Sequence, residues 1–157
     1  MAEPQTQPKG AAPAAAAPVD PYRNFNFRLD IGGVTEAAFF SVHGIAMRVH
    51  PIKFREAGIS QVVRSLPGPV EYSEVTLRHG VTRSTGMWQW ITSIAKGMIE
   101  RGNVSILLLD NDGSTEVIRW NLMNAWPCEW QGPALEGMGR EIAIAELKLA
   151  YDELQRE

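Results

Sequence analysis

Apolar and polar residues alternate with period two over most of the chain after Tyr22. In the run Phe25 to Ile31, the side chains of Phe25, Phe27, Leu29 and Ile31 take one side and Asn26, Arg28 and Asp30 the other, the pattern of a half-buried strand. Gly32-Gly33 offers a turn with positive φ, and Val34 to Ile45 resumes as its hairpin partner. Ala46 to Phe54 predicts a third strand, with Pro51 confined to an edge or a bulge. Arg55 to Val70 lacks a clean period and ends in Leu66-Pro67-Gly68-Pro69, so a long loop is expected there. Glu71 to Val81 returns to strand, with Val75 and Leu77 on one face.

One helix is expected, over Thr85 to Arg101. At ~100° per residue, Met87, Trp88, Ile91, Ile94, Ala95, Met98 and Ile99 fall in one apolar arc, and Gln89, Ser93, Lys96 and Glu100 lie opposite. Thr85 is placed to cap its start and Gly102 to end it. Trp90 falls on the polar side, where an isolated globule has no use for an indole. Asn103 to Asp110 is apolar enough for a strand buried on both faces. The turn Asp110-Asn111-Asp112-Gly113 joins it to Thr115–Leu122, the clearest hairpin in the chain, and extended structure continues past Pro127. Gly132 to Gly139 is loop. Over Glu141 to Leu154 composition favours helix, whereas Ile142 and Ile144, then Leu147, Leu149 and Tyr151, alternate as in a strand.

Composition refines this outline. Residues 1–19 hold seven alanines and four of the ten prolines and predict a flexible arm, leaving residues 20–157 as one domain. With a formal net charge of −3, the chain lacks the basic surface of a nucleic-acid module. A single cysteine, Cys128, excludes an intrachain disulfide framework and a multi-cysteine zinc site, and its setting between Trp126 and Trp130 suggests a small buried or half-buried hydrophobe. No apolar run is long enough to span a bilayer and no signal pattern opens the chain, so synthesis in the cytoplasm is expected.

Catalytic patterns fail in turn. His43, His50 and His79 show no metal-ligand spacing. The Asp110–Asn121 stretch departs from a calcium loop at Thr115 and Asn121. No nucleophile elbow and no phosphate-binding glycine motif occurs, so neither an enzyme nor a cofactor is expected. What remains is sticking surface: strand edges, an apolar long loop carrying Val62, Val63 and Leu66, and Trp90. An assembling subunit accounts for all three; a monomeric β-barrel that binds a small apolar ligand against its tryptophans is the competing class.

The blocks FREAG…VRSLPG, VTLRHGVTRSTGMWQWI, RGNVSILLLDNDG, RWNLMNAWPCEWQGP and EIAIAELKLAYDEL stand in the order and spacing of contractile-tail tube proteins. From Tyr22 to its end the chain resembles the T4-type phage tail tube family and the inner tubes of extracellular contractile injection systems. The resemblance implies a mainly β fold, a small antiparallel barrel or sandwich with one flanking helix, shared with the haemolysin-coregulated protein of type VI secretion. It tips the last element to strand. It also implies a homo-hexameric ring stacked into a tube inside a sheath, bounded by baseplate or hub and terminator proteins, with toxin or DNA cargo in the lumen. The particle is a phage tail or an injection system, and a tube-initiating, baseplate-proximal variant is the alternative within the family.

By the same likeness Arg55, Glu56, Gly58, Arg64, Leu66, Pro67 and Gly68 belong to a long loop that reaches an adjacent subunit or ring. Ala57 and Ser65 replace a common glycine and a common basic residue in it. The helix would lie outside, offering Gln89, Trp90, Ser93 and Lys96 to the sheath. Strand positions Glu71, Ser73, Thr76 and Arg78 are lumen candidates.

Overall fold

The computed structural model describes residues 22–32, 34–36, 39–55, 63–81, 83 and 85–157; the arm expected over 1–19 lies outside them. Period-two alternation yields ten strands among the described residues: β1 (Phe27–Ile31), β2 (Val34–Glu36), β3 (Phe39–His43), β4 (Met47–Phe54), β5 (Arg64–Tyr72), β6 (Val75–Gly80), β7 (Gly102–Leu109), β8 (Glu116–Gln131), β9 (Ile144–Ala150) and β10 (Glu153–Arg156). Helix α1 (Gly86–Ala95) precedes β7.

The organising element is β8, whose 16 residues serve two sheets. Its first half pairs with β7 on one side and β10 on the other, giving a first sheet in the order β2-β1-β7-β8-β10. Its second half pairs with β9, giving a second sheet in the order β8-β9-β6-β3. Asn124 marks the joint with φ of 53°, a conformation that asparagine tolerates better than most residues, and its N–H donates to Asn103 Oδ1 at 3.2 Å. Every pairing is antiparallel. Among the described residues the path does not close into a barrel: it ends at β2 and at β3.

The sheets face each other across one core. Leu29, Val104, Ile106, Leu122 and Ala125 come from the first, and Val75, Leu77, Leu147 and Leu149 from the second. Burying each large aliphatic side chain here is worth about 1.5–3 kcal/mol. The alternation seen at the carboxyl end belongs to Ala145, Leu147, Leu149 and Tyr151, all buried, so the last element is strand. It breaks at Tyr151-Asp152, opposite the β8 joint, and resumes as β10.

Four expectations are corrected. Val34–Ile45 is not one strand: β2 pairs with β1 as a hairpin, whereas β3 crosses to β6 in the second sheet. Of the long loop expected over Arg55–Val70, the part from Arg64 on is strand: Arg64 to Tyr72 is β5, paired with β4 in a separate two-stranded hairpin, while residues 56–62 lie outside the described residues. The helix is shorter than Thr85–Arg101 and stops at Ala95. Gly97 at φ +86° closes it with N–H bonds from Gly97 to Ile94 O and from Met98 to Ser93 O, while the Thr85 hydroxyl caps nothing. Cys128 is exposed at a bulge in β8, though partial desolvation pushes its thiol pKa up and keeps it protonated.

Candidate assembly surfaces

Strand pairing sets the second sheet's outward face. Its rows run His43–Thr76–Lys148–Glu129 and Ser41–Arg78–Glu146–Gln131 across β3, β6, β9 and β8. Opposite charges meet along them: Arg78 Nε lies 2.8 Å from Glu146 Oε1, and Lys148 Nζ donates to Glu129 Oε2 at 2.7 Å, a bond that raises the Lys148 pKa. The face is therefore polar, with its charges matched. Thr76 and Arg78 stand on it. The other two lumen candidates do not: Glu71 lies on β5, with its Oε2 2.6 Å from His50 Nε2, and exposed Ser73 follows β5, its N–H donating to Ala46 O.

Both margins of this sheet are open. Among the described residues no strand pairs with the outer side of β3 or with the outer side of residues 126–131 of β8. Phe40 is the extra residue of a bulge in β3 and is 68% exposed, and Ser41 Oγ is buried there without a hydrogen-bond partner. Beside β3 the space between the sheets opens as a mouth of about 690 Å³, walled by Phe25, Phe27, Phe39, Phe40 and Trp120 among others.

The β4–β5 hairpin carries apolar residues on both faces. Met47 and Val49 share one with Val70 and Tyr72; a bulge opposite His50 lengthens β5, and Ile52 and Phe54 then share the other with Leu66. Gly68 is required at that bulge, since a Cβ would stand 2.4 Å from His50 O and 2.9 Å from Ile52 Cγ1. Of the residues expected in the long loop, Arg64, Leu66, Pro67 and Gly68 are on β5, Arg55 follows β4, and Glu56 and Gly58 lie outside the described residues.

Helix α1 covers the inner side of β8's second half. Met87, Trp90 and Ile91 pack on the core, and the Trp90 indole N–H donates to Glu100 O at 2.9 Å. Trp90 is thus half-buried against its own fold, and Trp88, placed near one end of the apolar arc by periodicity, is 52% exposed and meets the Trp130 ring edge to face at 4.8 Å. Gln89 and Lys96 are exposed; Gln89 and Ser93 border a groove of about 490 Å³ that reaches Arg101 and Gly32.

Features tested for chemistry settle into structure. Asp112 accepts from the N–H and hydroxyl groups of both Ser114 and Thr115, bonds that hold its carboxyl well below the usual carboxylate range, so its oxygens close the β7–β8 turn. No group of three potential metal ligands, and no helix long and apolar enough to cross a membrane, occurs among the described residues. Sequence reasoning overlooked Leu135 and Met138, nearly bare in the connection between β8 and β9, where apolar residues scattered through its glycines were the available signal; Ile142, expected on the strand, lies ahead of β9 and is equally bare.

The family model for the T4-like virus tail tube protein gp19 matches residues 23–155. No curated protein sequence matches the chain. Among solved structures, a chain of the PVC sheath-tube complex of an extracellular contractile injection system, in its extended state, is 26% identical with a TM-score of 0.79, covering 87% of this chain and 91% of that one. A chain of the PVC sheath/tube terminator in the extended state is 27% identical with a TM-score of 0.78, covering 92% and 99%. Hcp1 from Flavobacterium johnsoniae, at 11% identity, shows the fold alone, with a TM-score of 0.53 over 83% and 93%.

Proposed function

The chain belongs to the T4-like virus tail tube protein family, and from that premise we propose that identical copies join edge to edge into a hexameric ring and that rings stack into the tube of a contractile particle. The supporting observation is the second sheet: four antiparallel strands, open at β3 and at β8. An even number of alternating strands leaves β3 antiparallel to β8. Rotation about a ring axis therefore brings each β8 margin to the next β3 margin in antiparallel sense, and closure satisfies both edges. The matched-charge face, with Thr76 and Arg78, would line the lumen. The first sheet and α1 would then form the outer layer, offering Gln89, Ser93 and Lys96 to a sheath.

The β4–β5 hairpin, with Arg55 following β4 and Arg64, Leu66, Pro67 and Gly68 along β5, would reach a neighbouring subunit or ring, since its apolar residues need cover that the described residues do not supply. Baseplate and terminator proteins would meet the two ends of the tube, and cargo, toxin or DNA, would pass through it. The role is structural: the chain is made in the cytoplasm and works within the assembled particle.

Negative-stain images of the purified full-length protein test this reading. Rings or tubes are the expected result; a strictly single-chain protein, alone and in the native particle, overturns it. The aromatic mouth favours the competing ligand-binding class, which instead predicts monomers whose tryptophan fluorescence responds to small apolar compounds.

A further inference from the structure

The connection between β8 and β9, residues 132–143, presents Leu135 at 86% and Met138 at 94% exposure. Two such knobs on one short connection are out of place in water. The aromatic mouth beside β3 is their counterpart: an apolar hollow, rimmed by the bulged Phe40 and the unpartnered Ser41 hydroxyl. Within one chain the two cannot meet, because β9 and β6 separate β8 from β3, a span of about 14 Å at ~4.8 Å per strand.

They do stand at one level. The knob connection leaves β8 at Gln131, and the row through Gln131 runs by Glu146 and Arg78 to Ser41, next to Phe40. Setting the β8 margin of one copy against the β3 margin of another, row to row, delivers the knobs to the neighbour's mouth. The knob surface and its hollow lie on different parts of the molecule, so the contact is head-to-tail and compatible with a closed ring.

We propose that Leu135 and Met138 of each copy seat in the aromatic mouth beside β3 of a second copy of this chain; Ile142 instead borders a hollow over Arg78 and Glu146 of its own sheet. The proposal rests on the edge-to-edge ring and adds the side-chain contact that fixes its register. The hairpin is the weaker occupant. It follows the His43 end of β3, away from Phe40, whereas the knobs arrive at the Phe40 end.

The test pairs Phe40→Cys with Met138→Cys in a Cys128→Ser background. Both sites are exposed, so both cysteines are expected to be tolerated. Oxidised assemblies should yield covalent oligomers up to the full ring, absent from either single-cysteine variant. Leu135→Asp with Met138→Asp should raise the concentration needed for half-maximal ring formation about tenfold or more, the order expected from losing a buried apolar contact, with an unchanged circular dichroism spectrum. The contact is overturned, and the ring reading kept, if wild-type rings are imaged while no cross-link forms, if the charged variants assemble at the wild-type concentration, or if Phe40→Cys couples instead with Phe54→Cys on the hairpin. A wild-type protein that forms no rings removes the ring reading and this contact together.

Discussion

Single residues carry their roles through hydrogen-bonding capacity more than through the motifs they mimic. Asp112 sits in a stretch that imitates a metal loop, yet its two oxygens are taken by four donors from Ser114 and Thr115. Those donors favour the charged form, so the folded-state pKa lies below the unfolded one, and the stabilisation is present above the unfolded value near 3.9 and lost as pH falls through the folded value. Asp112→Ala is therefore expected to lower Tm at neutral pH, with the difference from wild type constant down to about pH 4 and shrinking in stronger acid. A pH series of thermal melts checks it; a difference that grows below pH 4 contradicts the assignment. Gly44 is a second such position. At φ +90°, with a would-be Cβ 2.4 Å from Glu74 O, it lets the β3–β4 link pass against the start of β6. Gly44→Ala should cost about 2–4 kcal/mol in denaturant titrations, because both strain and a backbone clash must be relieved.

Elements were legible in proportion to how much of their pattern came from burial. Strands β1, β6 and β8 put alternate side chains into the core, and their alternation is plain in the chain; β7, with Ile106 and Leu107 both buried, shows instead as a continuous apolar run. The β4–β5 hairpin was half missed because no core disciplines it: β5 has two exposed apolar residues, Leu66 and Val70, in no strict period and a Pro67-Gly68-Pro69 run, which a two-stranded ribbon tolerates since each strand has an unpaired side. If the bulge sets the hairpin's path, Gly68→Ala should raise protease sensitivity between Phe54 and Arg64 and impair ring assembly while leaving the global unfolding midpoint near wild type. A fall in the midpoint of the whole domain would show that the hairpin is part of the cooperative unit. The helix failed differently. Its arc extends past Ala95 on paper, but Gly97 ends it and leaves Met98 and Ile99 exposed, so the packed face is shifted toward Trp90. Trp88 instead engages Trp130, and a double-mutant cycle to alanine should give a coupling of about 0.5–1.5 kcal/mol, as edge-to-face rings do.

At the scale of the whole molecule, what periodicity conveys is which residues leave water, not which sheet faces what. Thr76 and Arg78 alternate against Val75 and Leu77, so their outward direction was readable. That they share a face with Glu129, Glu146 and Lys148, from strands far along the chain, is a product of topology. Exposed ion pairs of this kind add about 0–1 kcal/mol each, too little for stability to be their purpose. Their effect is to cancel charge across a broad polar surface, as suits a wall that neither holds nor repels what slides past. A bulky apolar group on that wall should therefore act on passage and not on assembly. Thr76→Trp is half-exposed on the outward face, away from the core and from both sheet margins, so rings of wild-type diameter are expected by microscopy, with cargo content per particle reduced. Loss of rings would place Thr76 in a subunit contact, and wild-type loading in intact rings would move the lumen to another face.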